Sequence, residues 1–228
     1  MLTSLPVSSW IDEIGNQHYK KYSQYGEEGY LKFILKNIGT TNRFLVDIGA
    51  SDGKYLSNTK IFRDAGWESV LIDGRKFPGV VQSYVTVENI LKTLNLYGVP
   101  KEFDLLSIDI DGNDYWVLSK LLTEFRPRLI ISEYNSEFTD SRTIEYDPTF
   151  YFRGTDYYGY TFAAGLKLAE RTGYKVIFQN AHLNMYYLRN DIAAGASIEA
   201  PKKEHLWWRL NDGPYKNKTD NRLEWVHV

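Results

Sequence analysis

Apolar residues along this chain fall into short continuous runs separated by helical patterns, and that alternation predicts most of the architecture. Tyr30, Leu31, Ile34 and Leu35 share one side of a helix that follows Ser23, carries Glu27 in its first turns and ends at Gly39. Arg43 to Ile48 is a short apolar run that enters a turn at Gly49-Ala50-Ser51-Asp52-Gly53. A helix after Ser57-Asn58-Thr59 runs to Ala65 and stops at Gly66. Ser69 to Ile72 reads as a second strand ending in Asp73-Gly74, and Tyr84 to Val87 as a third. A helix from Glu88 to Leu96 follows, then a strand from Leu105 to Ile110, a helix from Tyr115 to Phe125 and a strand from Arg128 to Glu133. Strands apolar throughout their length, alternating with helices, predict an α/β fold with a mostly parallel sheet covered on both faces. A last helix, Thr161 to Arg171, is closed by Gly173, and Tyr174–Phe178 and Asn184–Arg189 are close enough to form an antiparallel pair.

No internal repeat or linker interrupts the pattern, so 228 residues suit one domain, with 1–22 as a lead-in and 192–228 as a C-terminal extension that packs back or reaches a partner. Composition narrows the chemistry. A hydrophobic fraction of 43% supports a sizeable core, and a charged fraction of 25% is ordinary for a soluble protein. Net charge is -2, which offers no global field for a phosphate backbone and argues against nucleic acid as the main substrate. With no cysteine, disulfides, thiolate metal sites and thiol nucleophiles are excluded. No apolar run is long enough to span a membrane, and Met1 to Trp10 lacks the features of a secretion signal, so a cytoplasmic location is expected. The 18 Tyr and 6 Trp fit either an aromatic core or stacking against a planar or sugar-like acceptor.

In an open parallel sheet, ligands bind beyond the carboxyl ends of the strands. Here the first such end reads Val46-Asp47-Ile48-Gly49-Ala50-Ser51-Asp52-Gly53. It is G-x-x-x-G rather than the G-x-G-x-x-G of a pyrophosphate site, and its carboxylates Asp47 and Asp52 repel phosphate. They suit a ligand that carries an ammonium and a sulfonium, as S-adenosylmethionine does. Asp73, at the end of the next strand, is placed to accept ribose hydroxyls.

The run Phe44 to Gly53, with Asp73 and Leu105-Leu106-Ser107-Ile108-Asp109-Ile110-Asp111-Gly112, resembles a class I S-adenosylmethionine-dependent methyltransferase of the FkbM-like type. The resemblance spans Ser23 to Asp191, about three-quarters of the chain. It implies a Rossmann-like, seven-stranded sheet with the last strand antiparallel. It also implies that Asp47, Gly49, Ala50, Ser51, Asp52 and Gly53 cradle the methionine part, with Asn58 nearby, Asp73 on the ribose and adenine near Thr86, Glu88 or Asn89. Ser23-Gln24-Tyr25-Gly26-Glu27 resembles the family's lead-in and fits a helix cap as well as a cofactor contact.

Asp109 and Asp111 lie two apart on the fourth strand, and Glu133 and Asn135 two apart at the end of the fifth, so each pair is expected on one face. Carboxylates gathered in this way need neutralising by protons, a basic side chain or a hard cation such as Mg2+. Asp109-Ile110-Asp111 also resembles the strand end of metal-dependent macrocin-type sugar O-methyltransferases. That likeness implies Asp109, Glu133 and Asn135 as metal ligands and Asp111 as general base. The departure is at the fifth strand, where those enzymes carry adjacent aspartates and this chain has Glu-Tyr-Asn, which leaves the metal open. No proline follows the fourth strand in the Asp/Asn-Pro-Pro-aromatic manner of enzymes that methylate an exocyclic nitrogen, which favours oxygen. The expected partner is therefore a small hydroxylated acceptor, a carbohydrate among the candidates. The alternatives are an RNA ribose or protein methyltransferase and a non-catalytic nucleoside-binding module.

Overall fold

The computed structural model of the chain describes residues 8–180, 183–193 and 223–228. Most of the C-terminal extension, with the Trp207-Trp208 pair, and the start of the lead-in lie outside these residues.

The central sheet is built from β1 (Phe44–Ile48), β2 (Glu68–Asp73), β3 (Val81–Gln82), β4 (Glu102–Ile108), β5 (Arg126–Glu133), β7 (Tyr174–Asn180) and β8 (Asn184–Arg189). β6 (Arg142–Ile144) and β9 (Trp225–His227) form a separate two-stranded ribbon. The helices are α1 (Ser8–Ile11), α2 (Glu27–Ile38), α3 (Lys60–Asp64), α4 (Ile90–Leu96), α5 (Asp114–Leu121) and α6 (Phe162–Thr172).

The seven strands are ordered β3-β2-β1-β4-β5-β8-β7, and β8 alone runs against its neighbours β5 and β7. This is the seven-stranded, mostly parallel sheet expected from the sequence. Successive residues of a strand serve opposite faces. In β5, Ile130 joins the core under α4, α5 and α6, whereas Leu129 and Ile131 join the core under α2 and α3. Both faces are thus covered, which explains why the strands are apolar throughout.

Both edges of the fold depart from the sequence reading. The third strand is Val81–Gln82, just after Pro78-Gly79, rather than Tyr84 to Val87; it is a two-residue edge strand, too short to show a periodicity. β4 ends at Ile108, not Ile110, so Asp109 and Asp111 stand in the loop beyond it. The C-terminal residues pack back: β9 pairs antiparallel with β6, and the Trp225 ring lies 4.9 Å from both Phe138 and Tyr157. No helix among the described residues is long and apolar enough to cross a membrane.

Candidate active site at the carboxyl edge of the sheet

The turn after β1 is held from below by β2. Gly49 and Ala50 both donate their amides to the Ile72 carbonyl, at 2.9 and 3.0 Å. Gly49 has φ of 84°, and a Cβ there would overlap the carbonyl oxygen of Asp109, so the β1 and β4 loops approach as closely as they do only with glycine at this position. Ser51 takes a left-handed φ of 49°, a strained choice for a residue with a side chain. Its amide donates to Asp73 Oδ2 at 2.8 Å, which secures that conformation.

Asp47 is buried beneath this turn, and Thr59 donates to its Oδ2 at 2.6 Å. Burial pushes its carboxyl above the usual range, and bonds from Thr59 and Ser107 with the charge of Arg63 oppose that. Asp52 is engaged within the turn. Its Oδ1 caps the turn by accepting the amides of Lys54 and Tyr55, both at 2.8 Å, and these bonds hold it below the usual range.

Beyond β4 the chain curls back on itself. Asp109 continues the pairing with β1, its amide donating to the Ile48 carbonyl at 3.0 Å. Asp111 then adopts φ of 54°, and Asp114 at the start of α5 braces the curl by accepting the amides of Ile110 and Gly112, each at 2.9 Å. One carboxylate oxygen from each of Asp109, Asp111 and Glu133 lies within 4.8 Å of the other two. Desolvation and repulsion among the neighbouring acids raise Asp109 and Glu133 well above the carboxylate range. Asp111, at the exposed rim, is raised by desolvation and opposed by the charge of Arg75. Asp114 is pushed up to about 6, chiefly by burial.

Two adjoining cavities open over these loops. The first, about 290 Å³, is lined by Asp47, Gly49, Ala50, Ser51 and Asn58, with Asp109 and Asp111 shared with its neighbour. Gln24 and Tyr55 add to it, as do Leu183 and Asn184 from the β7–β8 hairpin. The second, about 490 Å³, lies against Asp73, Gly74, Ser83, Tyr84 and Val85 on one side and Phe150, Tyr151 and Phe152 on the other. Both are of the size and mixed polarity of small-molecule sites.

Of the residues singled out in the sequence, Asp47, Gly49, Ala50, Ser51, Asn58, Asp73, Asp109 and Asp111 come together at this edge, with Glu133 against Asp109. Asp52 and Gly53 line neither cavity. Asn135 corrects the sequence reading. β5 ends at Glu133, so alternation no longer governs residue 135, and the buried carboxamide is engaged elsewhere. Its Nδ2 donates to the Asp156 and Tyr158 carbonyls, at 2.8 and 2.9 Å, and its Oδ1 accepts the Glu137 amide at 2.9 Å. The residues facing the second cavity are Ser83, Tyr84 and Val85, not Thr86, Glu88 or Asn89. Asn89 instead bonds the Thr86 amide and the Tyr84 carbonyl.

The helix cap read from the lead-in is not found: Gly26 stands at the N-cap of α2 and makes no side-chain cap bond. Glu28 accepts the amides of Lys21, Tyr22 and Ser23, while Gln24 lines the first cavity. Arg75, Phe150 and the hairpin residues Leu183 and Asn184 escaped sequence reasoning. Only Arg75 carried a signal, two residues after Asp73.

No curated protein matches this chain significantly in sequence. Among solved structures, the 1,6-didemethyltoxoflavin-N1-methyltransferase of Burkholderia thailandensis, bound to 1,6-didemethyltoxoflavin and S-adenosylhomocysteine, is similar at a TM-score of 0.43. Its identity is 12%, over 71% of this chain and 76% of that one. The methyltransferase FkbM domain matches residues 33–176, from within α2 to within β7 and so across the whole acid-lined edge, and the chain belongs to that methyltransferase family.

Proposed function

We propose that the chain is an S-adenosylmethionine-dependent O-methyltransferase whose acceptor is a small, neutral, hydroxylated molecule, with a carbohydrate the leading class. One observation carries the reading: acids from the ends of β1, β2 and β4 meet around the Gly49 turn, next to cavities of ligand size. The donor set fits the cofactor. Asp47 and the 49–51 turn suit its cationic amino-acid end, with Asn58 beside them, and Asp73 suits its ribose. Asn113 borders the second cavity, and its buried Oδ1 has no hydrogen-bond partner, as an acceptor for an exocyclic amine should.

When bound, S-adenosylmethionine would supply the electrophilic methyl group for an aligned acceptor oxygen. Asp111 is the base that takes the hydroxyl proton: it is the least buried of the three clustered acids, and its raised pKa moves it toward efficient proton uptake at neutral pH. Asp109 and Glu133, both raised well above the carboxylate range, stand beside it. The aromatic wall excludes water, and alignment supplies much of the rate. The lining, which sets Asp47, Asp73, Asp109 and Asp111 against Arg75, disfavours an anionic acceptor.

The test is transfer of a labelled methyl group to paired hydroxyl and amine acceptors, with Asp111→Asn alongside. Labelling confined to amines, or Asp111→Asn at full rate, would overturn the oxygen reading. The three converging carboxylates also support a second reading, in which a hard divalent cation such as Mg2+ is held by Asp109, Asp111 and Glu133. Turnover lost in chelator and restored by magnesium would favour it, and full turnover in chelator would remove it.

A further inference from the structure

Arg75 is the one basic side chain among the described residues that lines either cavity, and it lines both. Its Nε pairs with Asp73 Oδ1 at 3.2 Å, and its own amide donates to that same oxygen at 2.8 Å. Nη2 donates to Ser51 Oγ at 3.2 Å, and the guanidinium lies 5.2 Å over the Phe77 ring. The two partners differ in freedom: the Asp73 side chain is 8% exposed and the Arg75 side chain 69%.

A carboxylate has about four lone-pair sites. On Asp73 the Ser51 amide fills one, the Arg75 amide a second and Arg75 Nε a third. One remains, whereas a vicinal ribose diol donates two hydrogen bonds. The two amides belong to the turn itself and cannot withdraw without remaking it. The guanidinium can, because an ion pair so exposed to solvent is weak and its side chain gains freedom on release.

We propose that Arg75 is a latch on Asp73: its guanidinium and the 2′,3′-diol of a nucleoside compete for the same carboxylate site, so Arg75 sets both the affinity of the site and its preference for a ribose diol. This rests on the nucleoside reading of the site.

The experiment is calorimetric titration of the full chain, wild type and Arg75→Met, with S-adenosylhomocysteine and with its 2′,3′-dideoxy analogue. Methionine keeps an aliphatic arm over Phe77 and removes the donors. The expected result is about two- to fivefold tighter binding of S-adenosylhomocysteine to the variant, the scale of an exposed ion pair, with the dideoxy analogue unchanged. Three results would overturn the latch. Weaker or equal binding of S-adenosylhomocysteine would make Arg75 a ligand contact or a bystander. Equal tightening of both ligands would make it a steric obstruction. Failure of wild type to bind S-adenosylhomocysteine at all, a different outcome, would remove the nucleoside reading itself.

Discussion

The Ser51 amide and the Asp73 carboxylate are joined by a 2.8 Å hydrogen bond that ties the glycine turn after β1 to the end of β2. Asp73 is therefore both a wall of the second cavity and the brace of a left-handed residue in the adjoining one. Asp73→Ala is expected to weaken S-adenosylhomocysteine binding by about 10- to 100-fold, the worth of losing hydrogen bonds to a charged group. Asp73→Asn should fall between, since its remaining oxygen can keep one of the amides. Unchanged calorimetric affinity in Asp73→Ala would remove this residue from the binding site.

Asp114 shows the opposite use of an acid. It is buried at the start of α5, its carboxylate serves the Ile110 and Gly112 amides, and its pKa is pushed from the ordinary 3.8 to about 6. A carboxyl with a raised folded pKa binds its proton more tightly when folded. It therefore contributes stability that is present below about pH 4 and lost as pH rises through about 6. That is on the order of 2–3 kcal/mol across the window. Asp47, Asp109 and Glu133 are shifted in the same direction. The melting temperature should thus fall between about pH 4 and 6, and Asp114→Asn should reduce the slope. A flat wild-type profile would contradict the burial assigned to these acids.

Asp104 provides the control, because it is another acid of the strand that leads to Asp109. It lies in β4 beyond the reach of either cavity and is fully buried. It accepts the amides of Thr41, Asn42 and Arg43 and pairs with Arg128 at 3.2 Å. Asp104→Ala should cost about 3–5 kcal/mol by leaving these donors unpaired and Arg128 without its counter-ion. The surviving folded fraction should bind S-adenosylhomocysteine normally. A large loss of affinity at full stability would place Asp104 in the site.

These three acids show what a sequence of this kind carries. The glycine turn, Asp73 and the pair Asp109/Asp111 were legible because each sits where an apolar run meets a turn, and a parallel sheet brings all such places to one edge. Their convergence nevertheless has a different local cause. Alternation along a strand does not reach Asp111, whose orientation comes from its left-handed φ and the brace of Asp114. The same overextension of the strand misplaced Asn135. The β6–β9 ribbon could not be foreseen at all, since neither three-residue segment has a periodicity and their pairing is non-local. The roles of Arg75 and the 150–152 wall depend on how loops fold over the edge, and local pattern does not encode that.

The ribbon has a consequence for the site. Trp225 is wedged against Phe138 and Tyr157, with the Arg142 guanidinium 5.4 Å over its ring. Tyr157 OH accepts the Glu145 amide at 3.0 Å and donates to the Glu224 carbonyl at 2.7 Å, so the tail strand fastens both ends of the 145–157 connection. That connection carries Phe150, whose ring fills the space where a Cβ on Gly112 would stand, beside Asp111. Trp225→Ala removes a partly buried indole and should cost about 2–3 kcal/mol, below the range for a fully buried tryptophan. The loss should be local, because the main sheet does not touch the ribbon through its hydrogen bonds. Amide exchange should accelerate by about tenfold or more across 142–160 while β1, β4 and β5 keep their protection. S-adenosylhomocysteine should bind more weakly as the aromatic wall of the second cavity loosens. If exchange across 142–160 is unchanged in Trp225→Ala, the tail strand does not hold the wall, and contacts such as Tyr84 with the Phe150 carbonyl and Asn113 with the Asp147 carbonyl hold it instead.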